Sequence, residues 1–128
     1  YGLQGDAHVS ELPRTSGGLS WFSKISTAAE LEELVKGSPG QVYAIQCYSI
    51  DATPVYVRIY NHVDAPAVGD AADIVWRGMI PPNSGFVLTF PTGLACSAGI
   101  GVRATTGIAD NDEGALSASE VLVNVQFA

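Results

Sequence analysis

Two histidines, two cysteines and 13 acidic residues are the groups from which this 128-residue chain would have to build a general base, a thiolate or a metal site. Nucleophilic catalysis places a nucleophile, a base and an orienting group within hydrogen-bond reach of one another. His8 lies in a Gly- and Ser-containing N-terminal stretch and His62 follows a strand-like run, and neither stands in a Gly-x-Ser-x-Gly or related setting. His62 reads as an ordinary loop residue, no catalytic residue is assigned, and the chain is expected not to be an enzyme. A zinc site draws on three or four closely spaced Cys, His or carboxylate ligands, a spacing absent here. Gly99-Ile100-Gly101 lacks the third glycine, the following helix and the lysine that would make it a phosphate cradle.

Asp110 and Asp112 open like an oxygen-rich calcium loop, but Gly114 stands where the third ligand belongs, and an Asx turn is the better reading. Cys47 and Cys96 sit in the apolar contexts AIQCYSI and GLACSAG, where a thiol behaves as a small buried hydrophobe rather than half of a disulfide. No metal and no cofactor are expected. Trp76, Tyr56 and Tyr60 have the character of a stacking platform for a sugar, although packing in the core or between subunits accounts for them equally well.

Composition narrows the partners. The formal charge is −7, from six basic residues against 13 acidic ones, and Arg14, Lys24, Lys36, Arg58, Arg77 and Arg103 are scattered singly. Without a basic stripe to neutralise phosphates, nucleic-acid binding is not expected. No apolar run reaches the roughly 18 residues of a membrane span, and the N-terminus lacks the basic-then-apolar order of a signal peptide. A soluble, non-secreted chain made in the cytoplasm is expected, with no membrane partner. Only 15% of residues are charged against 47% hydrophobic, and the mean hydropathy is +0.21. A lone globule of that composition is short of polar surface, so part of its apolar surface is expected to meet another subunit.

The elements that would carry these residues are mostly strands. Residues 1–26 show no sustained period yet contain Leu12, Leu19, Trp21, Phe22 and Ile25, which a solvated tail has little use for. They read as an extended N-terminal arm, with residues 27–128 as the folded domain and Leu19, Trp21 and Phe22 as the interface candidates, docking on a neighbouring subunit or packing on their own domain. From Thr27 to Lys36 the capping-box spacing of Thr27 and Glu30, with Leu31, Leu34 and Val35 at helical offsets, predicts a short helix stopped by Gly37-Ser38-Pro39-Gly40. Thereafter the texture is β: Gln41–Ile50, Pro54–Tyr60, Asp73–Ile80, Phe86–Phe90, the small-residue stretch Leu94–Thr106, and Glu120–Phe127. In the second run Val55, Val57 and Ile59 face a core while Tyr56, Arg58 and Tyr60 face the other way. Phe90 is read as the end of its strand, stopped by Pro91-Thr92-Gly93. The fold class is therefore all-β, an antiparallel β-sandwich or jelly roll.

The order Pro39-Gly-Gln-Val-Tyr43, Val57-Arg-Ile-Tyr-Asn61, Ile80-Pro-Pro-Asn-Ser-Gly85, Phe90-Pro-Thr-Gly-Leu94, Gly99-Ile-Gly-Val-Arg-Ala-Thr-Thr-Gly107 and Ala109-Asp-Asn-Asp112 resembles small structural proteins of tailed bacteriophages encoded among virion genes. The resemblance spans about residues 37–127 and rests on the order of the motifs together. It implies a β-sandwich or jelly-roll virion protein on the capsid surface, with capsid decoration (cement) as its role and the major capsid protein and copies of itself as partners. It also implies, against the local helix signal, that Glu30–Lys36 enters the first strand. The alternative is a host-recognition module of a tail or fibre that binds carbohydrate.

Overall fold

A computed structural model describes residues 18–128. The interface candidates Leu19, Trp21 and Phe22 fall within them; His8, Leu12 and Arg14 lie outside. Eight strands follow one another: β1 (Ser20–Ile25), β2 (Leu31–Lys36), β3 (Gly40–Ser49), β4 (Val55–Asn61), β5 (Ile74–Ile80), β6 (Ser84–Cys96), β7 (Ile100–Thr105) and β8 (Val121–Phe127). The first sheet has the order β1-β8-β3-β6 and the second β2-β7-β4-β5, all neighbours antiparallel. The pairs β1·β8, β2·β7, β3·β6 and β4·β5 are the rungs of one long two-stranded ribbon folded back on itself, and β3·β8 with β4·β7 roll it closed. This is the jelly-roll arrangement.

Alternation explains the core. Val42, Ile45 and Cys47 of β3 and Val121, Val123 and Val125 of β8 meet Val55, Val57 and Ile59 of β4 and Ile100, Val102 and Ala104 of β7 between the layers. Burying each such aliphatic side chain contributes about 1.5–3 kcal/mol in transfer free energy. A bulge between Val42 and Ala44 sets Tyr43 and Ala44 side by side on the outer face and so keeps both Val42 and Ile45 inside. Trp76 closes one end of the layer, tilted against Phe86 and edge-on to Phe90 at centroid distances of 6.2 and 6.4 Å.

Three local expectations are corrected. Residues 31–36 are strand β2, because an isolated helix of about ten residues is marginal whereas this strand gains a ladder with β7 and buries Leu31. Glu30, which reads as part of a helix cap, instead binds Arg103 at 2.6 Å. The boundary at residue 26 also moves, since Ser20–Ile25 of the expected arm pair with β8 and belong to the sandwich. Ser26 fastens that strand: its hydroxyl donates to the Ser117 carbonyl at 2.6 Å and accepts from the Val121 amide at 3.0 Å. Finally, β6 does not stop at Phe90 but runs on through Pro91 to Cys96, which is permitted because this is an edge strand and Pro91 lies in the register break between Thr89 and Leu94, where it takes no hydrogen bond from the ladder with β3.

Candidate functional site

The outer face of the second sheet is roofed. Arg103, Arg58 and Arg77 stand side by side on β7, β4 and β5, register partners in one row. Arg103 and Arg58 are 0% and 1% exposed although both point away from the core. The connections 62–73 and 106–120 cover them and are held by them. Arg58 donates to the Thr105 hydroxyl at 2.9 Å and to the carbonyls of Gly107 and Ala109 at 2.8 and 2.6 Å. Arg103 donates to Glu30, to the Asp110 carbonyl at 2.9 Å, to the Asp112 carbonyl, and to the Tyr60 hydroxyl at 3.3 Å. Tyr60 in turn donates to the Asp70 carbonyl at 2.5 Å. Pro66 lies so close over Gly101 that a Cβ there would stand 2.9 Å from the proline ring.

Electrostatics follow from this packing. Burial and the neighbouring Arg103 charge draw the Arg58 guanidinium below its ordinary pKa. For Arg103 burial pulls the same way, but the hydrogen bonds to Glu30 and Tyr60 and their charge outweigh it, and its pKa rises. Glu32, opposite Arg103 in the ladder, is pushed up by burial and by the Glu30 charge, and its Oε2 is buried without a hydrogen-bond partner among the described residues. Backbone amides of Gly114 and Gly107, at 2.9 Å each, hold the Asp112 carboxyl below the usual range. Arg77 does the same for Asp110 through bonds of 2.7 and 2.8 Å. Both carboxylates of the turn that resembles a calcium loop are thus occupied, one by the loop's own backbone and one by a guanidinium.

The other chemical candidates resolve similarly. His62 Nδ1 lies 2.8 Å from the Asp64 carbonyl oxygen, a contact within its own loop. Cys47 and Cys96 are buried and unbridged, and burial pushes the Cys47 thiol up to about 12. The sugar platform is not formed: Trp76 turns into the interlayer against Phe86 and Phe90, and Tyr60 is fully buried beneath the loops. A shallow cleft of about 310 Å³ between Tyr56, Arg77, Gly78, Met79 and Ile108 is walled mainly by carbon. Its one surface cation, Arg77, is held by Asp110. Among the described residues no group of three or more His, Cys, Asp or Glu is placed to hold a metal ion, and no helix is long and apolar enough to cross a membrane.

Among the described residues nothing covers the outer face of the first sheet. Its rows, read across β1, β8 and β3, are Trp21, Gln126 and Ala44 beside Tyr43; Ser23, Asn124 and Gln46; and Ile25, Leu122 and Tyr48. β6 extends the face with Gly85, Val87 and Thr89. No outward position on these four strands carries a charge. Trp21 is 58% exposed, and Ile25, Tyr48 and Ile50 are exposed around a small hollow at one end, with Leu122 half-buried beside them. Tyr48 lies across Gly85, where a Cβ would come within 2.7 Å of its ring. Of the interface candidates, Leu19 and Trp21 are exposed, but Phe22 points inward and packs on the core, because neighbours on a strand face opposite ways. Trp21 and Phe22 therefore do not act as a pair. The residues that join Trp21 on its face, Ile25, Tyr48, Val87 and Leu122, had a sequence signal: the outward positions of the β3 and β8 runs are uncharged.

No family model matches this chain, and no curated protein matches it. Among solved structures, the coat protein of Tobacco streak virus is similar at 12% identity over 90% of this chain and 88% of that one, with a TM-score of 0.39. At that distance the fold stands on its own strand order: an all-β jelly roll with one face sealed by arginine-anchored loops and the other open and uncharged.

Proposed function

We propose that this chain is a structural protein of a tailed-bacteriophage virion, made in the host cytoplasm, that decorates the capsid surface and bridges neighbouring subunits of the major capsid protein. The observation that carries this reading is the uncharged outer face of the first sheet with Trp21, Ile25 and Tyr48 exposed on it. A chain of net charge −7 that keeps one whole face free of charge has a surface suited to burial against protein. The motif order shared with phage virion proteins supports the same reading, and repetition over many copies supplies the avidity that one modest contact lacks. The carbohydrate-binding alternative loses its main support, since Tyr60 is buried and Trp76 packs against Phe86 and Phe90.

Binding of the purified protein to emptied capsids tests the proposal. Trp21→Ala should weaken attachment by about 2 kcal/mol or more, roughly thirtyfold, as truncation of an aromatic anchor does. Unchanged attachment of Trp21→Ala and Ile25→Ser together would remove the first-sheet face from the reading. No attachment of the wild-type chain to any capsid would remove the decoration role.

A further inference from the structure

We infer that β6 is a self-association edge, at which β6 of a second copy adds antiparallel across a two-fold axis and joins two first sheets into one. The inference concerns the free edge of the sheet whose outer face is assigned to the capsid; Val87 belongs to both, and the inference does not depend on that assignment.

A sheet edge presents a row of backbone N–H and C=O groups ready to pair with another extended strand, and proteins guard such edges with charge, proline or shortness. The four edges of this sandwich differ. β1 carries Lys24, β2 carries Glu32, Glu33 and Lys36, and β5 carries Arg77. β6 is 13 residues long, the longest strand described, and has no charged residue. Among the described residues its only strand partner is β3. Pro91 guards the second half alone, so Ser84–Thr89 is left unguarded.

Side chains point to the same place. Leu88 faces the interlayer, opposite the fully buried Ile45 in the ladder, yet it is 37% exposed. Val87, on the outer face, is 66% exposed. Charge selects the occupant. β6 has no counter-ion to offer a charged strand, and copies of a chain at −7 repel one another least where neither carries charge. A second β6 meets both conditions and is self-complementary about a two-fold. With the axis beside Val87, Val87 stands opposite its own copy, Gly85 opposite Thr89, and Leu88 opposite Phe86, which continues the apolar interlayer from one protomer to the next.

Sedimentation velocity of the full chain tests this without any capsid, so its failure is separate from failure of the decoration reading. The wild type should pass from monomer to dimer within about 1–100 µM, as a one-strand interface allows. Val87→Lys places two ammonium groups face to face and should weaken the dimer by at least about a hundredfold. Leu88→Lys should do the same by an inward-pointing charge. Val87→Lys substitutes an exposed side chain and should keep the wild-type melting temperature at monomer concentrations, and Trp21→Ala should leave the dimer intact. A wild type that stays monomeric overturns the inference, including the case in which deleting residues 1–17 then creates a dimer, since their removal would mean that the chain's own N-terminal segment occupies the edge. A dimer that survives both lysine variants, or is lost in Trp21→Ala, overturns it as well.

Discussion

The two outer faces of this sandwich arise from the same alternation and reach opposite states. On the second sheet the outward positions hold Arg58, Tyr60 and Arg103, and two connections fold over them; on the first they hold amides, hydroxyls, Tyr, Ile and Trp, and nothing described covers them. Guanidinium groups explain the difference. Each has five donors in a fixed fork, enough to gather several loop carbonyls at once, whereas the first sheet offers its loops no comparable anchor. Charge stands where it organises the chain internally, and the face without it is left uncovered among the described residues.

The strongest way to break that contrast is to remove an anchor. Arg103→Met should destabilise the fold by about 3–5 kcal/mol, because Glu30 is then buried without its partner and several loop carbonyls lose their donor. Urea unfolding measures it; a loss below about 1 kcal/mol, within the range of surface ion pairs, would mean that the roof holds itself. Arg58→Met should cost somewhat less, since no carboxylate is orphaned.

Asp112→Asn should cost about 1 kcal/mol at neutral pH, the difference between charged and neutral hydrogen bonds to two amides. Because the folded-state pKa is lowered, this stabilisation is full above the unfolded value near 3.9 and is lost as pH falls through the folded one. The deficit of the variant should therefore shrink in acid. Glu32→Gln should act in the other direction. A carboxyl raised on folding favours the fold below its unfolded pKa and loses that advantage as pH rises through the folded value. The Gln variant should match the wild type in acid and melt higher at pH 7, where it also relieves part of the roughly 1–3 kcal/mol cost of an orphaned buried acceptor. A variant less stable than the wild type at pH 7 would show that Glu32 ionised supports Arg103.

The smallest changes in stability belong to the bare face. Tyr48→Ser and Ile50→Ser should shift stability by no more than about 0.5 kcal/mol each, as exposed sites do. A large loss from Tyr48→Ser would show that its ring over Gly85 is part of the fold rather than of a contact surface.

How much of this could be read from the chain depends on the range of the force involved. The alternation of Val55, Val57 and Ile59 with Tyr56, Arg58 and Tyr60 is local, and so are the turn residues around Asp110; both were legible. β2 was not, since Thr27, Glu30 and Leu31 satisfy the helix rules and only the ladder with β7 and the pairing of Glu30 with Arg103 overrule them. β1 hid within a Gly- and Ser-containing context because its partner, β8, lies at the other end of the described chain. The role of Arg58 and Arg103 depended on loops whose paths local sequence does not encode. That Trp21 and Phe22 separate, by contrast, follows from strand geometry once Ser20–Ile25 is known to be a strand.

The pairing of β1 with β8 also sets an order in time. Ser20 is opposite Phe127, so the first sheet cannot acquire its outer strand until β8 has left the ribosome. Contacts this distant in sequence carry the full entropy of closing the intervening chain, which makes jelly rolls slow to form. During that interval β3 and β6 can already form a hairpin around the β4–β5 segment, with the uncharged edge of β6 open. A copy that meets another at this stage would pair before its own sheet is complete, so the concentration of nascent chains governs whether the edge yields ordered dimers or aggregates.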